Sequence, residues 1–144
     1  MGADDVAAHE AAIEHGVVRW MRSLFDLGEN AAGLLLSGGS MANFIGVVAA
    51  RTSRLGDDFE NGVMYVTVRA HHSVTKAARL AGIRDRQIRY IPVDQDLRMV
   101  PDALLAAIKE DRSTGLDPFL IVASAGTTDT GTVDPLAAVG DVAR

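Results

Sequence analysis

The residues of this sequence that could do chemistry fall in three short polar stretches. The first is Ser37-Gly38-Gly39-Ser40, set between the apolar run Leu34–Leu36 and a helical pattern holding Phe44, Val47 and Val48. A buried strand, a glycine turn and a helix start in succession make a place for an anion. The first N–H groups of a helix have no partner inside it, and glycine lets a ligand approach the backbone. Ser40 can cap the helix or donate its hydroxyl to a phosphate oxygen. The helix dipole adds only about 0.3–1 kcal/mol, so directed hydrogen bonds must do the holding. The second stretch is Arg69–Ser73, with His71 and His72. A loop histidine can stack on a flat ligand or move a proton near neutral pH, or simply cap the next helix. As neighbours on a loop, these two are expected to point different ways. The third stretch, 125–131, offers the hydroxyls of Thr127, Thr128 and Thr130, with Asp134 just beyond. Asp134 before Pro135 also suits an ordinary helix N-cap.

The intervening elements must position these stretches. Val6–Phe25 reads as an amphipathic helix with Val6, Ile13, Val17, Trp20, Met21 and Leu24 near one face. Asp26–Asn30 is a turn cluster that ends it. His9 and His15 are six apart, so they are no ligand pair, and both are expected in solvent. The helix after Ser40 runs to about Leu55. Val63–Val68, rich in β-branched residues, is a strand. Val74–Ala81 is a helix with Ser73 as its expected N-cap, and Gly82 stops it. Ile88–Val93 is a strand, and Pro101 starts a helix that runs to about Asp111. Phe119–Ala123 is expected to be the most buried strand. Asp134-Pro135 opens the last helix. Alternating strands and helices predict an α/β fold with a mainly parallel sheet and helices on both faces. All three polar stretches then lie at the carboxyl ends of strands, where such sheets bind ligands. Residues alone lead to a phosphate-bearing, flat ligand.

Bulk properties bound the function. The 144 residues suit one domain with a real core. A net charge of −5 and 5% aromatics argue against a nucleic-acid binder, whether for duplex or single strand. Without cysteine there is no disulfide or thiolate metal site. No apolar run approaches a membrane span. The acidic start M-G-A-D-D-V-A-A-H-E lacks the order of a signal peptide, and a cytoplasmic protein is expected.

Three segments together carry a family likeness. Ser37–Asn43, S-G-G-S-M-A-N, with Ala49-Ala50-Arg51, resembles the phosphate loop of the group II pyridoxal-5′-phosphate-dependent amino-acid decarboxylases. Ala70–Ile83, A-H-H-S-V-T-K-A-A-R-L-A-G-I, resembles that family's A-H-x-S-x-x-K-A segment, and Ala123–Leu136 its A-T-x-G-T-T-x-x-G-x-x-D-P segment. Glu14 and Trp20 also fit the preceding helix. The segments occur in family order and span nearly the whole chain. The resemblance implies part of the large domain of a fold type I, aminotransferase-like enzyme: residues 1–30 as an N-terminal helix and turn, 31–144 as a partial cofactor-binding domain. It implies that Gly39 and Ser40 hold the phosphate of pyridoxal 5′-phosphate and that His71 stacks on the pyridine ring. It further implies a polar contact from Thr128 near the ring and Asp134 close beneath the site. An amino-acid substrate and a homodimer are implied as well.

The likeness has departures. Met41 stands where an acidic residue is common. The family's aspartate partner of the pyridine nitrogen and its Schiff-base lysine are expected beyond Arg144. Lys76 and Lys109 match neither position and read as surface residues on helices. The chain by itself is therefore expected to be inactive. Two other readings stand beside a decarboxylase fragment. One is a non-catalytic cofactor-binding or dimerisation module. The other is a fold type I carbon–carbon lyase acting on a phosphorylated sphingoid base.

Overall fold

The computed structural model describes the backbone of residues 3–144 and the side chains from His9 onward. In chain order the elements are α1 (Ala3–Leu24), α2 (Gly39–Leu55), β1 (Gly62–Thr67), α3 (His72–Leu80), a 3-10 turn (Asp85–Gln87), β2 (Ile88–Ile91), α4 (Pro101–Ser113), β3 (Asp117–Ile121) and α5 (Leu136–Ala143). Two compact units result, one ending at Ser37 and the other running Gly38–Arg144.

In the first unit α1 forms where the amphipathic pattern predicts it. The side chain of Val6 lies outside the described residues. Phe25 N–H still bonds back to Met21, and Asp26 turns the chain at φ 50°. His9 and His15 are exposed, and His15 Nδ1–H donates to Ala11 O at 2.7 Å. Leu34–Leu36 is not the buried strand expected. It has no regular structure, is exposed and pairs with no strand among the described residues. A strand needs a neighbour for its backbone groups; here Leu35 N–H donates instead to Glu14 Oε1 at 2.7 Å.

In the second unit the sheet order is β2-β1-β3, all parallel. Side chains alternate across β1, so the central strand feeds two cores. Met64 and Val66 pack with Val47 of α2 and with Val74, Ala77 and Ala78 of α3. Val63 and Tyr65 pack with Leu104 and Ile108 of α4 and with Val139 of α5. Helices therefore cover both faces, as the α/β pattern requires. Each of the Val, Met, Leu and Ile side chains among these contributes about 1.5–3 kcal/mol on full burial. The expectation that Phe119–Ala123 is the most buried strand is corrected. β1 is buried at all six positions, whereas β3 starts earlier, at Asp117, and buries only Phe119. An apolar run reports hydrophobicity, but rank in the sheet decides burial, and β3 is an edge.

Tyr65 carries a hydroxyl into the α4 face. Its hydroxyl donates to Asp111 Oδ2 at 2.8 Å, and Arg89 Nη2 holds Asp111 Oδ1 at 2.7 Å. Burial first, then the bond to the Asp111 carboxylate, pushes the phenol well above its ordinary value.

Candidate cofactor site

β1 and β3 lie side by side and point the same way. The chain leaves β1 for α3, on one face, and leaves β3 for α5, on the other. Where neighbouring strands send their connections to opposite faces, a crevice opens at their carboxyl ends. The loops after these two strands carry the histidines and the threonines. The N-terminus of α2 forms the third wall.

That N-terminus is built for an anion. Gly38 occupies the cap position at φ 129°, ψ 168°, with no side-chain hydrogen bond to the helix. Met41 and Ala42 N–H both return to Gly38 O at 3.1 Å, which leaves the Gly39 and Ser40 N–H groups for a ligand. Nothing lies within 4 Å of where a Cβ would stand on Gly38 or Gly39, so a ligand can reach the backbone. Ser40 is not the cap. It sits inside the first turn because Gly38 takes the cap conformation that a side-chain-bearing residue rarely adopts.

The second loop corrects two expectations. The N-cap of α3 is His71, not Ser73: His71 Nδ1 accepts from Ser73 N–H at 3.3 Å. A cap acceptor belongs one residue before the first helical turn, and α3 begins at His72. The two imidazoles also do not diverge. Their centroids are 4.2 Å apart with the planes tilted 40°, because one residue caps the helix and the next begins it. Ser73 Oγ is 2.7 Å from His71 Nδ1 and accepts from Asn43 Nδ2 at 2.7 Å.

The third loop is folded on itself. Thr127 is buried; its Oγ1 meets Thr130 Oγ1 at 2.7 Å and accepts from Thr132 N–H at 3.1 Å. These bonds occupy Thr127 and Thr130 and leave Thr128 facing outward. Arg69, just past β1, pairs with Asp129 and ties this loop to the second. Desolvation raises the Asp129 carboxyl, but Arg69 and the loop hydrogen bonds outweigh it, so the group lies below its ordinary value. Asp134 is buried. Its Oδ1 accepts from Met99 N–H and its Oδ2 from Ser124 N–H, each at 2.7 Å. It makes no cap bond to α5.

Gly39, Ser40, Asn43, His71, Ser73 and Thr128 line one cleft of about 370 Å³, a size suited to a small molecule. Four of the five site residues expected from sequence are thus brought together. The fifth, Asp134, is not in the lining and fixes the loop from behind. Asn43 and Ser73 are lining residues that the sequence does not mark as part of the site: Asn43 only closes the S-G-G-S-M-A-N segment, and Ser73 is expected only as a helix cap. Their signal was present: Asn43 is one helical turn past Gly39, and Ser73 lies two residues after a histidine. The cleft fits a phosphate with an attached ring: uncapped N–H donors and the Ser40 hydroxyl stand on one side, an imidazole on another. No lysine lines it. Lys76 borders an adjoining groove with Met41, Phe44 and Leu80 that shares Ser40 and Ser73 with the cleft, and Lys109 is exposed on α4.

Fold and cleft define an α/β domain with unpaired helix-start N–H groups set beside a histidine ring. The chain belongs to the pyridoxal-dependent decarboxylase family, whose conserved domain matches residues 7–144. It is 41% identical over 130 residues to an aromatic-L-amino-acid decarboxylase of Bacillus atrophaeus, covering 90% of this chain and 27% of that protein. The structure of Oryza sativa TDC with PLP and tryptamine matches at TM-score 0.81 and 31% identity, over 92% of this chain and 30% of that one. The structure of Rhodiola rosea 4-hydroxyphenylacetaldehyde synthase matches at TM-score 0.83 and 32% identity, over 92% and 31%. The chain spans under a third of each relative. The cofactor of this domain family is pyridoxal 5′-phosphate.

Proposed function

We propose that the full-length protein carrying this chain removes carbon dioxide from an L-amino acid with pyridoxal 5′-phosphate as cofactor. The observation that carries the reading is the single cleft shared by Gly39, Ser40, His71 and Thr128. When bound, the cofactor's ring supplies an electron sink for the pair left by the departing carboxylate. This chain's residues orient and hold. Gly39 and Ser40 would donate to the phosphate, and the His71 imidazole would lie against the ring. Thr128 would make a polar contact near it. Asp134 acts from beneath by holding Ser124 and Met99 in place. With no lysine in the cleft, the 144 residues alone are inactive. The protein works as a homodimer, a reading supported by Trp20, Leu24 and Phe25, which stand 61%, 59% and 65% exposed on the first unit. No helix among the described residues is long and apolar enough to cross a membrane.

The test is full-length protein given pyridoxal phosphate and a panel of L-amino acids, aromatic ones first. We expect a visible cofactor absorbance, carbon dioxide and the matching amine, with cofactor affinity lost in Ser40→Ala and His71→Ala. Failure to bind pyridoxal phosphate refutes the reading. Turnover by the isolated 144 residues refutes the claim that they are inactive alone. A second reading, an aldehyde synthase, is favoured by the 32% identity to the Rhodiola rosea enzyme. An aldehyde in place of the amine would assign it.

A further inference from the structure

The cleft holds one polar chain that the cofactor reading does not use. A backbone N–H can only donate, so the long 3.3 Å contact from Ser73 N–H biases His71 Nδ1 toward the acceptor role and leaves the stronger, 2.7 Å contact with the Ser73 hydroxyl to fix it. Ser73 Oγ lies 2.7 Å from that same nitrogen and 2.7 Å from Asn43 Nδ2. The Asn43 amide donates to Oγ, which leaves the hydroxyl proton directed at Nδ1. Nδ1 therefore carries no proton, and in the neutral ring Nε2 does. Ser73 is buried and Asn43 half-buried, so water does not readily reverse the direction of this chain. Asn43 stands on α2 one turn past Gly39, so the chain also references the imidazole to the helix start that grips the anion.

We propose that Ser73 and Asn43 are positioning residues that hold His71 as the Nε2–H tautomer, with its N–H edge offered to the cleft. The proposal deepens the cofactor reading and rests on it only for what the ring faces. It implies that the direction of the relay, not just its presence, sets the ring.

The test is nitrogen NMR of full-length protein labelled in histidine, with His71 assigned from the signals lost in His71→Gln. In the unsubstituted protein we expect an unprotonated Nδ1 and a protonated Nε2. Asn43→Asp reverses the relay, because a carboxylate only accepts: the Ser73 hydroxyl turns to it and the ring shifts toward Nδ1–H. Ser73→Ala yields a mixture of tautomers, and Ser73→Thr restores the original signature. A merely structural role would not invert a tautomer. A proton on Nδ1 in the unsubstituted protein overturns the proposal, and this spectrum decides alone if a variant fails to fold. An Asn43→Asp spectrum identical to the original overturns it as well. Absorbance of bound pyridoxal phosphate, read in parallel, separates the two ideas. The expected tautomer in a protein that binds no cofactor sinks the cofactor reading and supports the relay. A bound cofactor over a ring protonated on Nδ1 does the opposite.

Discussion

Replacing Asp134 with alanine should cost stability first and cofactor affinity only as a consequence. The carboxylate accepts two backbone N–H groups, from Met99 and Ser124, at 2.7 Å each, and is 4% exposed. Removing it leaves both donors unpaired. An orphaned buried donor costs about 1–3 kcal/mol, and hydrogen bonds to a charged group fall in the upper part of that range. The Met99 N–H is fully buried and the Ser124 N–H partly so, which places the total at about 2–5 kcal/mol. Asp134→Asn keeps one carbonyl oxygen and turns an NH2 toward the other donor, so it should lose about half as much or somewhat more. The assay is urea unfolding of the full-length protein and both variants without cofactor, followed by titration with pyridoxal phosphate under conditions where each is folded. With Asp134 acting only by tying Met99 to Ser124, midpoints should fall in the order original, Asn, Ala, with affinities for the folded forms close together. An unchanged midpoint in Asp134→Ala together with a lost affinity would refute it and make the carboxylate a direct ligand.

The glycines at the helix start should separate backbone strain from ligand access. Gly38→Ala forces a side chain onto φ 129°, with a cost of order 1–3 kcal/mol in unfolding midpoint although no atom blocks its Cβ. Gly39→Ala meets neither strain nor a neighbour, so stability should hold while pyridoxal phosphate binding weakens, because the new methyl fills the approach to the N–H donors. The Tyr65 phenol should make the fold sensitive to alkali. Its folded value is raised, so its stabilisation is fully present below the unfolded value of about 10 and is lost as pH climbs from there toward the folded value. Melting followed across that window should show a decline that Tyr65→Phe flattens; an unchanged slope would refute the assignment.

The sequence alone determined much of this protein, because its signals are local. Glycines that end helices, Pro101 at a helix start and β-branched runs act through the backbone of a few neighbouring residues, so α3, α4 and β1 stand close to their expected positions. The three polar stretches were legible for the same reason: each holds residue types whose chemistry is intrinsic. The tertiary structure decided what depends on partners distant in the chain. Leu34–Leu36 looked like a strand, but no neighbour among the described residues supplies its ladder, and it stays exposed. Phe119–Ala123 looked most buried, but sheet order puts that distinction on β1. Asp134 could be a cap or a site residue by sequence; only the approach of Met99, 35 positions earlier, commits its carboxylate. Asn43 reaches Ser73 across 30 positions, and no spacing rule encodes a contact between two helices packed by a shared core. Hydrogen bonds of that length in sequence are set by packing, so the fold had to be formed before the partners of His71 could be read.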